Sequence, residues 1–312
     1  MSRHRNVFSL LLATLFATQG PTLRAQQQTA DGARNTTGVL AALNSFDSFT
    51  PNDRFAISSP GDPDLGEQLI LIPNQRYRPF SVGAGYNTFW TSNAFYTPNS
   101  PSSDVVMSAF AEALVLPHLG NNFFLEGSAN FSGYRYFRNP SLDFNALSAS
   151  AGVLKIFREF ADLGIYTRYE YDFLFSPGGS ELLSEHSLAA GFRKTFQFTR
   201  ANALFVSGEA AFSLGGWPSF ALTHEFNLFA AHQIAWSRYF STSLFYQMTI
   251  FDFRDNSRAD LRNFTGLSAD IRPLKWITLS ATAWLGWNSS NESQYDFFVA
   301  NLGGGITASI NF

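Results

Sequence analysis

Cysteine is absent from all 312 residues, so neither a disulfide framework nor a thiolate metal site is open to this chain. Charge is scarce as well. Asp, Glu, Lys and Arg make up 14% of the sequence, against roughly 25% in an ordinary soluble domain. The net charge of −3 gives no electrostatic basis for binding nucleic acid. No stretch reaches the ~20 apolar residues that a membrane-spanning helix requires, and the mean hydropathy is −0.06. What the chain does have is apolar residues (45%) and aromatic ones (16%). They fall in short alternating runs.

The first 25 residues read as an export signal. Arg3, His4 and Arg5 precede a short apolar core from Val7 to Thr18, and Ala25 is the expected last residue before cleavage. Residues 26–79 are polar, with Pro51, Pro60, Pro63, Pro73 and Pro79 scattered through them. This stretch reads as a periplasmic extension or a segment that enters a lumen. Asp62, Asp64 and Glu67 lack the ligand spacing of an EF-hand, and Pro-Gly-Asp reads as a turn.

From Phe80 to Phe312 a two-residue period takes over, which places alternate side chains on opposite faces of a β-strand. The stretch Asp162 to Phe175 displays the rule. Leu163, Ile165, Tyr169, Tyr171, Phe173 and Phe175 share one face, and Arg168, Glu170 and Asp172 share the other. Val105, Met107 and Ala109 likewise oppose Ser108 and Glu112, and Ile277, Leu279 and Ala281 oppose Thr278 and Ser280. About twelve such strands follow one another, an even number as single-chain outer-membrane barrels require. The expected fold is all-β, a transmembrane antiparallel up-and-down barrel over residues 80–312. His232 and Gln233 put polar groups on both faces of one strand, the least regular of the set.

The connections alternate between short and long, the long ones including Ser176–Glu185 and Ser213–His224, as periplasmic turns and external loops do. The polar face carries Glu112, Glu126, Arg168, Glu170, Asp172, Arg193, Glu209 and Asp270. Turned toward hydrocarbon, an Arg or Lys at mid-depth would cost about 2–4 kcal/mol, so these groups are assigned to the lumen. Arg168, Arg193 and the neighbouring carboxylates are expected at similar depth, as an ion-paired or wet constriction. Trp90, Tyr136, Tyr171, Phe175, Tyr246 and Trp287 fall near the long loops, while Phe80, Phe157, Phe160, Trp236, Trp276 and Phe312 fall near the short turns. Two aromatic belts at strand ends are what two membrane interfaces select. A soluble sandwich, charges outward, explains neither the belts nor the low charge.

The last strand, ending in Ile306, Ala308, Ile310 and Phe312, resembles the C-terminal signal by which outer-membrane barrels are recognised for assembly. The run from Phe80 to Ile156 resembles the putative β-barrel porin families. There an Asn-containing loop follows the first strand, here Thr91-Ser92-Asn93, and a Ser-Asp opens the second, here Ser103-Asp104. The resemblance implies the outer membrane of a Gram-negative bacterium, lipids and lipopolysaccharide as surroundings, the assembly machinery as partner, and transport of small polar solutes.

No cofactor or metal is expected. Gly303-Gly304-Gly305 lacks the Lys-Ser/Thr of a phosphate loop, and His118, His186, His224 and His232 show no metal-ligand spacing. Ser184 and His186 share a face, but nothing in the sequence supplies oxyanion donors, so no enzyme is expected. Two roles remain, a porin-like channel with a polar lumen and a closed barrel serving as anchor or surface-interaction module. An outer-membrane phospholipase comes third. Deleting Phe312 is expected to lower the amount of barrel recovered in the outer membrane, measured by heat-modifiable gel mobility. Unchanged recovery would contradict the assembly reading.

Overall fold

The computed structural model describes residues 78–199 and 201–312. The signal segment, nearly all of the polar extension and Arg200 lie outside the described residues. Thirteen strands follow in order: β1 (Phe80–Thr91), β2 (Asp104–Val115), β3 (His118–Gly120), β4 (Phe123–Tyr136), β5 (Phe144–Phe157), β6 (Leu163–Phe175), β7 (Glu181–Thr199), β8 (Asn202–Trp217), β9 (Thr223–Ala235), β10 (Phe240–Phe253), β11 (Ala259–Leu274), β12 (Ile277–Ser290) and β13 (Phe297–Asn311). All pairings are antiparallel between neighbours, and β2 also pairs with β4. The three residues of β3 prolong the wall beside β4 beyond Pro117, whose missing N–H interrupts β2. The architecture is a closed twelve-strand barrel with one short extra strand.

Closure comes from β1 and β13, which pair without interruption from Ser81↔Asn311 to Thr91↔Asn301. Phe312 completes the seam: its amide donates to Phe80 O at 2.9 Å, its carbonyl accepts from Phe80 N at 3.1 Å, and the two rings stack at 6.0 Å. A closed wall leaves no row of unpaired backbone groups facing lipid, where each would cost several kcal/mol.

Alternation sorts the side chains as expected. Val82, Tyr86, Leu125, Phe131, Ile165, Leu188, Leu244, Leu267, Leu302 and Ile306 stand exposed on the outer wall, while Ser108, Glu126, Ser187, Gln247 and Asp270 are buried inside. On β9, Gln233 faces inward and His232 outward, where its Nε2 lies 2.6 Å from Asn202 Oδ1. Lys155 and Lys194 share the apolar face near the strand ends opposite the loop 92–103. Each folds its ammonium back onto a turn carbonyl, that of Asn121 and that of Phe160.

Three expectations change. Tyr136 is not in the external belt. It has the parity of Glu126 and is buried inside, 5% exposed. The long loop expected between Ser213 and His224 shrinks to 218–222, because β8 carries on through Gly215 and Gly216 in register with His186 and Glu185. The loop after Ser176 is likewise short, since β7 begins at Glu181. Glycine and small polar residues at a strand end mask its period.

Neighbouring positions on β4 test the two faces. By strand parity Ser128 shares the face of the buried Glu126 and Ser132, and Ala129 that of the exposed Leu125 and Phe131. Ala129→Arg should lower stability by about 2–4 kcal/mol in urea titrations of lipid-reconstituted protein, and Ser128→Arg by much less. Equal losses would contradict the assignment of faces.

Candidate functional site

Five charged side chains meet in the lumen. Arg168 on β6 contacts Glu170 (Nε–Oε1 2.5 Å), Glu209 on β8 (Nη2–Oε2 2.6 Å) and Glu126 on β4 (Nη1–Oε1 3.6 Å). Arg193 on β7 grips the same Glu126 through both guanidinium ends, at 2.9 and 3.4 Å. Tyr166 donates its hydroxyl to Glu209 at 2.8 Å and lies under the Arg168 guanidinium, 4.8 Å from ring centre to Cζ. Ser187 donates to Glu170 at 3.3 Å, and Ser148 to Asp172 at 2.5 Å. Charge-assisted pairs of this kind hold well when desolvated together. Removing one member of a buried pair costs about 3–5 kcal/mol because the other is left uncompensated.

The pairs reach across strands that should separate them, and glycine explains how. Along the ladder, Glu126 stands opposite Gly152, and Gly152 opposite Arg168. A Cβ on Gly152 would collide with Thr167 O and Arg168 Cβ. Tyr166 and Glu209 are separated in the same way by Gly191, where a Cβ would come within 2.6 Å of the Tyr166 hydroxyl and 2.5 Å of Gly208 O. Each glycine is a gap in the inner wall through which side chains two strands apart can touch.

Glu112 on β2 and Asp172 on β6 line the same chamber but stand outside this knot. Asp270 faces inward on β11, apart from the chamber. The arginines are not level: Arg193 pairs in register with Gly164, whereas Arg168 pairs with Ala189. Glu126 joins them, and the sequence gave no sign that it partners both. Tyr166, Glu225 and Arg262 also line the chamber, which has a volume of about 500 Å³. All three have inward parity, and counting parity through every strand would have found them.

Apolar side chains fill other parts of the interior. Phe89, Val106, Tyr134, Phe144, Leu174 and Leu183 form one buried apolar cluster. Phe205, Phe229, Phe245, Phe264, Trp284 and Val299 form a second. The loop 92–103 folds inward between them, giving Ala94 to the first cluster and Tyr96 to the second. Tyr96 meets Phe297 edge-on at 5.0 Å. Ala221, from the connection 218–222, joins the first cluster from the other side. Asn93 holds the loop in this fold, donating Nδ2–H to Thr97 O (2.8 Å) and Phe298 O (3.1 Å) and accepting from Thr97 N (3.2 Å). Ser92 Oγ accepts from Ala300 N at 2.8 Å. Asp104 in turn accepts from Arg138 N, Asn139 N and Asn139 Nδ2 at 2.8 to 3.0 Å, fixing the next external loop. The Asn-loop and Ser-Asp positions are thus loop anchors.

On the outer wall, Trp90, Tyr246, Tyr171 and Trp287 stand toward the end of the barrel that carries the loop 92–103, and Trp236 and Trp276 stand at the opposite end. Ile306, Ile310 and Phe312 are exposed outward on β13, and Ala308 has the same parity. His186 stacks on Tyr171 at 4.7 Å, and its Nδ1 is in contact with the Tyr169 hydroxyl.

No family model and no curated protein sequence matches the chain. Among solved structures it is similar to the COG4313 outer membrane channel from Pseudomonas putida F1, with TM-score 0.52 and 12% identity over 81% of this chain and 100% of that one. It is more distantly similar to outer membrane phospholipase A from Escherichia coli (0.44, 14%, 76% and 92%). The translocator domain of the autotransporter NalP from Neisseria meningitidis gives 0.42, 12%, 77% and 90%. At such identities the likeness is one of fold. The chain has the barrel fold of outer-membrane proteins.

Glu126→Ala should destabilise the barrel by about 3–5 kcal/mol, since it strips a partner from two guanidinium groups at once. The measurement is a denaturant midpoint in detergent micelles. A shift no larger than that of Ser128→Ala would contradict the knot as drawn.

Proposed function

We propose that this barrel is an outer-membrane channel for passive diffusion of small polar solutes, held here with its external mouth closed. The observation that carries the reading is the chamber of about 500 Å³ lined by Ser81, Asn87, Asn130, Asn227, Gln247 and the charged knot. A barrel that served only as an anchor would gain more from filling that space with apolar side chains than from burying paired charges. The inward loop 92–103 is pinned by Asn93 through three hydrogen bonds, by Ser92 Oγ and by the packing of Ala94 and Tyr96, none of which is a rung of the strand ladder, so its release would leave the wall paired. Lipids and lipopolysaccharide surround the barrel in this reading, the aromatic belts sit at the two interfaces, and Phe312 serves both the seam and recognition by the assembly machinery.

The closed-anchor alternative draws on the same mouth, where two apolar clusters and the loop 92–103 meet. Single-channel recording in planar bilayers separates the two. The native chain should show small or infrequent conductance, and Asn93→Ala should raise open probability severalfold. If neither protein conducts, the barrel is an anchor and the channel reading falls.

A further inference from the structure

The chain has three lysines, Lys155, Lys194 and Lys275, and all lie at the end of the barrel opposite the loop 92–103. Two of them stand on the outer wall. Lys155 shares the face of the exposed Leu147 and Val153 on β5, and Lys194 that of Leu188, Phe192 and Phe196 on β7. In a membrane such stems lift their ammonium groups to the level of the headgroups. The ladder makes the two neighbours across β6. Lys155 stands opposite Ile165, and Ile165 opposite Phe192, two residues before Lys194. Two strand spacings of about 4.8 Å and a two-residue step of about 6.6 Å put their Cα atoms roughly 12 Å apart.

Rings fill the space between them. Lys155 Nζ lies 4.2 Å from the centre of the Phe123 ring and 5.9 Å from that of Phe157. The Phe157 and Phe160 rings are 6.4 Å apart, and Lys194 Nζ, 4.8 Å from the Phe196 ring, donates to Phe160 O at 2.9 Å. Ring faces attract the ammonium groups and hold them at the wall. Each ammonium has three N–H donors. Lys155 gives one to Asn121 O and Lys194 one to Phe160 O, which leaves donors for an outside acceptor. The turn beside them carries Arg158, Glu159 and Asp162, all exposed. Among the described residues neither carboxylate forms an ion pair with either lysine.

We propose that the outer wall between Lys155 and Lys194 binds an anionic glycerophospholipid. The ammonium groups hold its phosphodiester, and its acyl chains lie along the exposed Val153, Ile165 and Phe192. A zwitterionic headgroup brings a cation of its own and gains less from two ammonium groups than an anionic one does.

The test reads lipid composition at one point of the wall. The chain has no cysteine, so Ile165→Cys carries a fluorophore between the two lysines, and Leu244→Cys carries it on β10 as a control. The full chain is reconstituted in phosphatidylcholine bilayers that contain a small fraction of nitroxide-tailed phosphatidylglycerol or nitroxide-tailed phosphatidylcholine. Quenching at Ile165 should show phosphatidylglycerol enriched at least about threefold over phosphatidylcholine, and quenching at Leu244 should not. Lys155→Gln with Lys194→Gln should abolish the enrichment, and Lys155→Arg with Lys194→Arg should keep it. The comparison of lipids at Ile165 stands without these variants should they fail to fold. Equal quenching by the two lipids at Ile165 overturns the proposal, as does equal enrichment at Leu244 or enrichment that survives the double Gln variant. Stronger enrichment of nitroxide-tailed lipid A than of phosphatidylglycerol also overturns it. The readout needs neither conduction nor a solute, so either result leaves the channel reading where it stands.

Discussion

Hydrocarbon offers no hydrogen bonds, and everything in this structure follows from that. A backbone crossing it in strands must close on itself, so β1 must find β13, and the last amide and carbonyl of the chain must reach Phe80. Charged side chains must turn away from lipid, and in a closed sheet the only other direction is the lumen. The two-residue period therefore separates membrane-facing chemistry from interior chemistry, one residue at a time.

Once inside, charges face a second constraint. The interior is narrow and partly dry, so an unpaired ion would be costly. The chain meets this with a knot of Arg168, Arg193, Glu126, Glu170 and Glu209. It also removes side chains at Gly152 and Gly191 so that groups two strands apart can touch. Elsewhere in the interior apolar residues take the inward positions, and Ala94 and Tyr96 of the loop 92–103 pack among them. Near that loop the buried Arg258–Asp260 pair follows the same pairing rule as the knot.

Much of the fold was legible because strand alternation is a local signal repeated many times. The number of barrel strands and the two faces came from it. Strand ends were less legible: Gly215 and Gly216 look like loop yet stay paired. The inward loop was not legible at all, because Ala94 and Tyr96 sit beyond the strand and their burial depends on partners hundreds of residues away, such as Phe297. Tyr136 went astray for a related reason. An aromatic at a strand end reads as an interface anchor unless its parity is checked against Glu126. The eight lumen charges were visible by parity, but not which of them meet, since the glycines that bring Glu126 to Arg168 carry no signal of their own.

The central claim is that one residue in two faces lipid and the next faces an interior lumen. Because the chain has no cysteine, a single introduced thiol carries a spin label at one known position. A label moved residue by residue along β12, from Thr278 to Leu285, reports collision with oxygen dissolved in lipid and with a water-soluble nickel chelate. Leu279, Ala281, Ala283 and Leu285 should collide with oxygen, and Thr278, Ser280 and Thr282 should be shielded from it. A pattern without a two-residue period, or one with its phase reversed, would contradict the account.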